Sequence, residues 1–445
     1  MTKEKLEKKF PITFPDKVSP EWKNSVKGWY VKNATPGLYT LDIEHVSDEL
    51  VEQHNDQDNS INIKSNYSEL CVHDCTACFN KQSIVYSPKK RGLDKSLILD
   101  EEGNSQVNKI MTLEETLEIV DQAMDTARQE GHEFESVKFL GPGELLMNPQ
   151  LFEIIEAYAE RGINLGIFTK SALLGSDEHA QKYQGMSAKE LVDKLATYDN
   201  VSVLFSFQSF DDELQESLVT CKGKGIQGYG PIREKALENI FGSEFYQNGK
   251  TDRVCAINAP IVSENIGESF EIYKFFVERG TPVVMVPSML SGKGSDQVEK
   301  QKQIGDWQDQ LVELYARIYA FNVEKGIQTP EQIEREGIAS YVGADPCNQV
   351  STGLYIRANG IVQMCPGRFD ESTVFANVKD KSLKEIWDNS PNKQRGIDNP
   401  QNLINNRCPA KDENGCSVTK DVAGFQMGFY ERVMDRYKEL TSNQP

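Results

Sequence analysis

Hydrophobic positions along the chain switch between two periods. From Ile61 onward, short apolar runs rich in β-branched and aromatic residues predict strands: INIK (61–64), SVKFL (136–140), INLGIFT (163–169), VSVLFSF (201–207), RVCAINA (253–259) and PVVMVP (282–287). Segments with helical spacing separate them. Thr112 and Glu115 form a capping-box pattern, with Leu113, Leu117, Val120, Met124 and Ala127 on one face. Leu151, Ile154, Ile155 and Tyr158 mark a second helix, Ser187 with Glu190 caps a third, and Phe270 to Val277 belongs to another. A longer amphipathic helix carries Ile304, Trp307, Leu311, Leu314, Tyr315 and Ile318. Strands alternating with helices predict a parallel sheet, open or closed into a partial barrel.

Around this core the pattern weakens. Residues 1–60 are polar and interrupted by prolines, and are expected to be an N-terminal extension packed on the body. The core is assigned to 61–300, linker helices to 301–340, and a second domain to 341–445. Within that domain Ala358-Asn359-Gly360 joins two short alternating runs, as a hairpin turn would. There is no internal repeat and no low-complexity tract. GKGIQGYG (223–230) contains a literal G-x-G-x-x-G, but it starts well past the fourth strand instead of joining a strand to a helix, so it reads as a flexible loop. The S-G-K-G at 291–294 is too short for a phosphate loop.

In parallel α/β folds, ligands sit at the C-terminal ends of the strands. Those ends read Gly-Pro-Gly-Glu (141–144), Thr169-Lys170-Ser171, Ser206 to Ser209 around Gln208, Asn258 and Pro287-Ser288. Polar residues therefore collect on one rim.

Composition narrows the partners. A net charge of −19 argues against a nucleic-acid surface, which is ordinarily basic. No apolar run reaches the length of a membrane span, and the first residues, MTKEKLEKKFPITF, lack the apolar core of a secretory signal. The expected location is cytoplasmic, where clustered cysteines are metal ligands more often than disulfides. Of nine cysteines, seven fall in two groups.

The first group is Cys71, Cys75 and Cys78, a C-x3-C-x2-C triplet. Three thiolates can hold an iron–sulfur cluster by three corners and leave one iron open for substrate chemistry. The competing reading is a zinc knuckle with His73 as fourth ligand, although zinc sites usually come as two separated pairs. The second group is Cys347, Cys365, Cys408 and Cys416, a set that suits one auxiliary cluster or one structural zinc equally well. Cys221 and Cys255 stand alone; each reads as a small buried hydrophobe, or as a hydrogen-atom donor to a substrate radical.

With its triplet after a predicted strand and GPGE after the next, the chain resembles the radical SAM superfamily over roughly residues 61–290. Residues 341–420 resemble the SPASM/Twitch extensions of that superfamily. The resemblance implies a partial (β/α)6 TIM-like barrel with a C-terminal auxiliary-cluster domain. It implies a [4Fe–4S] cluster on Cys71, Cys75 and Cys78, whose open iron binds S-adenosylmethionine. One-electron reduction then yields a 5′-deoxyadenosyl radical that takes hydrogen from an unactivated C–H bond. It also implies a second [4Fe–4S] cluster on Cys347, Cys365, Cys408 and Cys416. Gly141, Gly143 and Glu144 correspond to the family's Gly-Gly-Glu-like motif near the methionine ammonium. Lys170 and Ser171 fall where the carboxylate would lie, and Ser206, Gln208 and Ser209 near the ribose. Ala77 stands where family members often carry an aromatic, which here is Phe79.

The expected substrate is a small molecule or a peptide, and the expected reductant a flavodoxin or ferredoxin. Three alternatives stay open. They are a peptide maturase or epimerase using Cys221 or Cys255, a zinc-binding scaffold, and an electron-transfer protein with fully ligated clusters.

Overall fold

The computed structural model describes residues 3–10, 36–46, 73, 75–78, 110–141, 143–220, 226–246, 255–287, 293–294, 297, 300–301, 303–338, 342, 349–366, 374–398 and 428–442. Its strands are β1 (Thr40–Ile43), β2 (Ser136–Phe139), β3 (Asn164–Thr169), β4 (Val201–Ser206), β5 (Cys255–Ile261), β6 (Val283–Pro287), β7 (Gly353–Ile356), β8 (Ile361–Gln363) and β9 (Val374–Asn377). They form one nine-stranded sheet in the order β6-β5-β4-β3-β2-β1-β7-β8-β9. From β6 through β1 to β7 every pairing is parallel, and β8 and β9 continue antiparallel. The mixed α/β class and the parallel strands β2–β6 agree with the sequence expectation.

The predicted punctuation is present. Thr112–Glu115 and Ser187–Glu190 are capping boxes that open the helices Leu113–Gln129 and Ala188–Ala196. Leu151–Glu160, Ile266–Val277 and Trp307–Glu324 are helices, and the last packs on Phe429–Ser442 through Tyr315 and Phe429, with ring centroids 5.3 Å apart. Gly360 takes φ +86° in the hairpin between β7 and β8, a conformation glycine adopts without a steric penalty.

Two boundaries differ from expectation. The sheet draws a strand from Thr40–Ile43, inside the stretch read as an extension, while 61–64 lies outside the described residues. The second domain is not separate from the sheet, because β7 pairs in parallel with β1. Both misreadings share a cause. TLDI and GLYI are four-residue strands, too short for alternation to stand out beside polar flanks, and pairing with neighbours on both sides is what holds them.

Register gives the sheet two unlike faces. Ile356, Ile43, Phe139, Ile167, Val203 and Cys255 lie side by side across β7-β1-β2-β3-β4-β5 and belong to the main hydrophobic core. One residue back along the strands, Gln363, Tyr355, Asp42, Lys138, Gly166 and Ser202 form a row on the opposite face. The side chains of this second row are buried as well. It is held by Asp42–Lys138, 3.1 Å apart, and by Ser136 Oγ donating to Thr40 Oγ1 at 3.1 Å. Burial raises the Asp42 pKa against the opposing pull of Lys138.

Candidate active site

The C-terminal ends of β2, β3 and β4 bring Glu144, Lys170, Ser171 and Ser206 together. After β2 the backbone turns through Gly141 (φ +105°) and Gly143 (φ +81°), conformations that a side chain would strain. This turn delivers Glu144 to a buried position just before the short 3-10 turn Leu145–Met147. Glu144 Oε2 accepts the Lys170 backbone N–H at 3.0 Å, while Oε1 is buried with no hydrogen-bond partner among the described residues. Burial pushes the Glu144 carboxyl up to about 7, with Thr169 and the Lys170 amide pulling the other way. An acid poised there, with one oxygen unused, fits an incoming ammonium group, which would supply both the missing donor and a countercharge.

Lys170 Nζ donates to Ser206 Oγ at 2.6 Å, joining the ends of β3 and β4. Ser171 adopts φ +66°, the only positive φ among the described non-glycine residues. The next residues are anchored away from this cluster. The backbone N–H groups of Gln208 and Ser209 donate to Gln215 Oε1 at 2.8 and 3.1 Å, and the Ser209 hydroxyl donates to Glu268. Arg233, fully buried, donates to the Ser209 carbonyl, to Gln215 Oε1 and to Asp212, and its guanidinium lies 4.5 Å from the Phe207 ring centroid. Gln208 therefore shapes the rim through its backbone, and Ser209 is engaged elsewhere.

The cysteine loop docks beside this rim. The Thr76 N–H donates to the Leu218 carbonyl at 3.0 Å, and the Cys78 carbonyl accepts from Lys293 N–H at 2.9 Å. Cys75 packs on Val219 and Tyr229, with Cys78 against the same group. The His73 ring meets the Tyr229 ring edge-on at 5.2 Å, and the Tyr229 hydroxyl donates to the Lys170 carbonyl. Tyr229 thus touches both the cysteine loop and the Glu144–Lys170 rim.

Sequence reasoning missed Tyr229. It sits in the G-x-G-x-x-G stretch read as a flexible loop, yet 229–241 is a helix. The signal was available in the glycines. Gly228 takes φ +68° to start the helix, and at Gly230 a Cβ would lie 2.7 Å from the Asp212 carboxyl. Glycines that permit a close approach mark a packed element, not a slack one.

Other candidates are placed differently. Cys255 was expected to be able to face the barrel interior. Its register beside Val203 instead puts it on the apolar face, where burial raises its thiol pKa to about 12. It points away from the face that carries Lys138 and Ser206, because side chains alternate along a strand. Cys365 is buried immediately after β8. Cys71, Phe79, Cys221, Cys347, Cys408 and Cys416 lie outside the described residues. Among the described residues no three His, Cys, Asp or Glu side chains form a metal-holding group. No described helix is long and apolar enough to cross a membrane.

Two family models match the chain. The radical SAM superfamily model covers residues 65–226, which contain the cysteine triplet, GPGE and the Lys170 turn. The SPASM model, an iron–sulfur cluster-binding domain, covers 347–416 and begins and ends on cysteines. This is a radical SAM enzyme with a SPASM domain. Its cofactors are accordingly a [4Fe–4S] cluster and S-adenosylmethionine, with auxiliary iron–sulfur in the SPASM domain.

Among solved structures, anSMEcpe with bound AdoMet and Cp18Cys peptide is 15% identical, with 92% of this chain and 97% of that chain covered and a TM-score of 0.51. SuiB of Streptococcus suis bound to precursor peptide SuiA is 17% identical, with 81% and 66% covered and a TM-score of 0.42; the radical SAM chain thus spans about two thirds of SuiB. BtrN in complex with AdoMet and 2-DOIA is 12% identical, with 83% and 89% covered and a TM-score of 0.31. No curated protein sequence matches the chain.

Proposed function

We propose that this radical SAM enzyme abstracts hydrogen from a C–H bond of a peptide, with one auxiliary cluster on Cys347, Cys365, Cys408 and Cys416 taking part in electron transfer. Cys71, Cys75 and Cys78 would hold the [4Fe–4S] cluster, which would supply the one electron needed for reductive cleavage of S-adenosylmethionine. The chain's own residues bind and orient. Glu144 Oε1 receives the methionine ammonium, and the ammonium in turn holds that carboxyl ionised near neutral pH. Lys170, steadied by Ser206, offers positive charge to the methionine carboxylate. The two glycines at 141 and 143 supply the left-handed turn that delivers Glu144.

The observation that carries the reading is Glu144, a buried acid beside the cysteine loop with one oxygen left unpartnered. A buried polar group without a partner costs about 1–3 kcal/mol, a cost that a bound ligand would remove. For the substrate, the support is the polar face behind the rim. At its far end Gln363 is buried with both its amide oxygen and its amide nitrogen unpartnered among the described residues, and a peptide group offers both a donor and an acceptor. The Cp18Cys peptide bound to anSMEcpe, a chain of the same fold, favours a peptide over a small molecule.

Replacing Cys71, Cys75 and Cys78 together by Ala tests the chemistry. The expected result is a loss of about four irons per chain and of all 5′-deoxyadenosine formed with dithionite and S-adenosylmethionine. Loss of product with iron content unchanged would show that the cluster ligands are misassigned. A colourless protein with stoichiometric zinc after anaerobic purification would end the radical reading.

A further inference from the structure

We propose that Tyr229 and Ser171 are positioning residues that tie the cysteine loop to the carboxylate reading S-adenosylmethionine. The starting observation is strain. Ser171 is held at φ +66°, a left-handed conformation that costs a non-glycine residue about 1–2 kcal/mol. Such outliers persist only where the surroundings over-determine them, and they cluster at ligand clamps.

Here the surroundings are three hydrogen bonds on one turn. The Ser171 N–H donates to Thr169 Oγ1 at 2.7 Å. The Ser171 hydroxyl and the Tyr229 hydroxyl both donate to the Lys170 carbonyl, each at 2.5 Å. The carbonyl is held from two sides, and the other polar groups of Lys170 are engaged as well. Its N–H points at Glu144 Oε2 and its ammonium at Ser206. Glu144 is then left with Oε1 alone to offer.

The other end of the connection is the Tyr229 ring. It packs on Cys75 and meets His73 edge-on, so the loop that carries the cluster ligands rests on the residue that pins the Lys170 carbonyl. The ring's own position is set from behind. Tyr229 N–H donates to Glu216 Oε2 at 3.2 Å, and Gly230 lets the helix start press against Asp212. Phenylalanine would fill the same space against Cys75. The hydroxyl serves the Lys170–Ser171 turn, where the Lys170 carbonyl already has a donor in Ser171. A second donor adds rigidity rather than satisfying an orphan group. The ring and the hydroxyl therefore have separable jobs, one towards the cysteine loop and one towards Glu144.

Separability makes the test direct. Tyr229→Phe keeps the ring and removes the hydroxyl. In anaerobically reconstituted enzyme its iron content should equal wild type. Its dissociation constant for S-adenosylmethionine, measured by equilibrium dialysis, should rise about three- to tenfold, the effect of one hydrogen bond. The change in the electron paramagnetic resonance signal of the reduced cluster on adding S-adenosylmethionine should shrink with it. Ser171→Gly, which keeps the left-handed turn without strain and removes the other hydroxyl, should weaken binding in the same direction and also keep its iron. Wild-type affinity and a wild-type spectral change in Tyr229→Phe would overturn the proposal. So would a fall in its iron content parallel to the fall in affinity, since that would make Tyr229 a packing residue of the cysteine loop alone.

Discussion

Ile356, Ile43, Phe139, Ile167, Val203 and Cys255 cross the sheet on one side, and Gln363, Tyr355, Asp42, Lys138, Gly166 and Ser202 cross it on the other. Burial does not separate the two rows, since both are shielded from water. Their energetics do. The first row gains about 25 cal/mol for each Å² of apolar surface removed from water, and any residue of suitable volume serves. The second row gains little from burial and needs a partner for every polar atom. Thr40 and Ser136 find theirs within the sheet, Asp42 Oδ1 has the ion pair with Lys138 but no hydrogen bond, and the Glu44 carboxylate finds the Tyr355 hydroxyl and the Ala358 N–H. Glu144 Oε1 and both amide atoms of Gln363 find no partner among the described residues. The difference teaches that one face is there for the fold and the other for a ligand, at some expense to stability.

Phe205 and Ser206 are adjacent on β4 and stand on opposite faces, so they give the sharpest contrast. Phe205→Ala should destabilise the protein by about 3–5 kcal/mol, read by denaturant unfolding, because it opens a cavity in the main core. Ser206→Ala removes only the hydroxyl that Lys170 Nζ donates to, and should cost about 1 kcal/mol or less. It should nevertheless weaken S-adenosylmethionine binding, which Phe205→Ala affects only through folding. Similar stability losses in the two variants would break the distinction between the faces.

Glu144 sets the next effect, one that depends on pH. Its carboxyl is raised from 4.5 to about 7 in the folded, cofactor-free protein. The folded state therefore prefers the protonated acid. Its stability contribution is complete below pH 4.5 and is lost progressively as pH rises through about 7. Across that window Glu144 should cost the cofactor-free protein roughly 3 kcal/mol, at 1.36 kcal/mol per pKa unit. Glu144→Gln should remove that slope, leaving the variant more stable than wild type at pH 8 although it binds S-adenosylmethionine poorly. A wild-type slope in the variant would mean that another group is titrating. Saturating S-adenosylmethionine should flatten the slope in wild type, because the ammonium would hold Glu144 ionised.

Most of the apolar face could be read from sequence, and much less of the polar one. Runs such as INLGIFT and VSVLFSF announce strands because every second residue is strongly apolar. Gly-Pro-Gly-Glu and Thr-Lys-Ser announce strand ends because glycine and short polar residues suit tight turns. What stayed hidden depended on partners far away in the chain. TLDI is a strand only because it lies between Ser136–Phe139 and Gly353–Ile356. The facing of Cys255 is hidden in the sequence because the phase of β5 is fixed by its pairing with β4. Tyr229 was passed over because its two contacts, Cys75 and the Lys170 carbonyl, are brought together only by the fold.

Gln363 supplies the smallest effect and the finest test of the comparison. On a face built for the fold, a buried glutamine would be hydrogen-bonded, and replacing it by Leu would cost stability. On a face built for a ligand, its unpartnered amide already carries a desolvation cost in the free protein, and an apolar side chain of similar size removes it. Gln363→Leu should therefore leave stability unchanged or raise it by about 1 kcal/mol in denaturant unfolding. The paired positions in the same row should behave oppositely. Lys138→Met strands the buried Asp42 carboxylate and should destabilise by roughly 3 kcal/mol, moderated at low pH, where Asp42, already raised by burial, takes up a proton. A destabilised Gln363→Leu would assign this end of the row to the fold and withdraw the support it gives to a peptide substrate. It would leave the Glu144 end of the same face untouched.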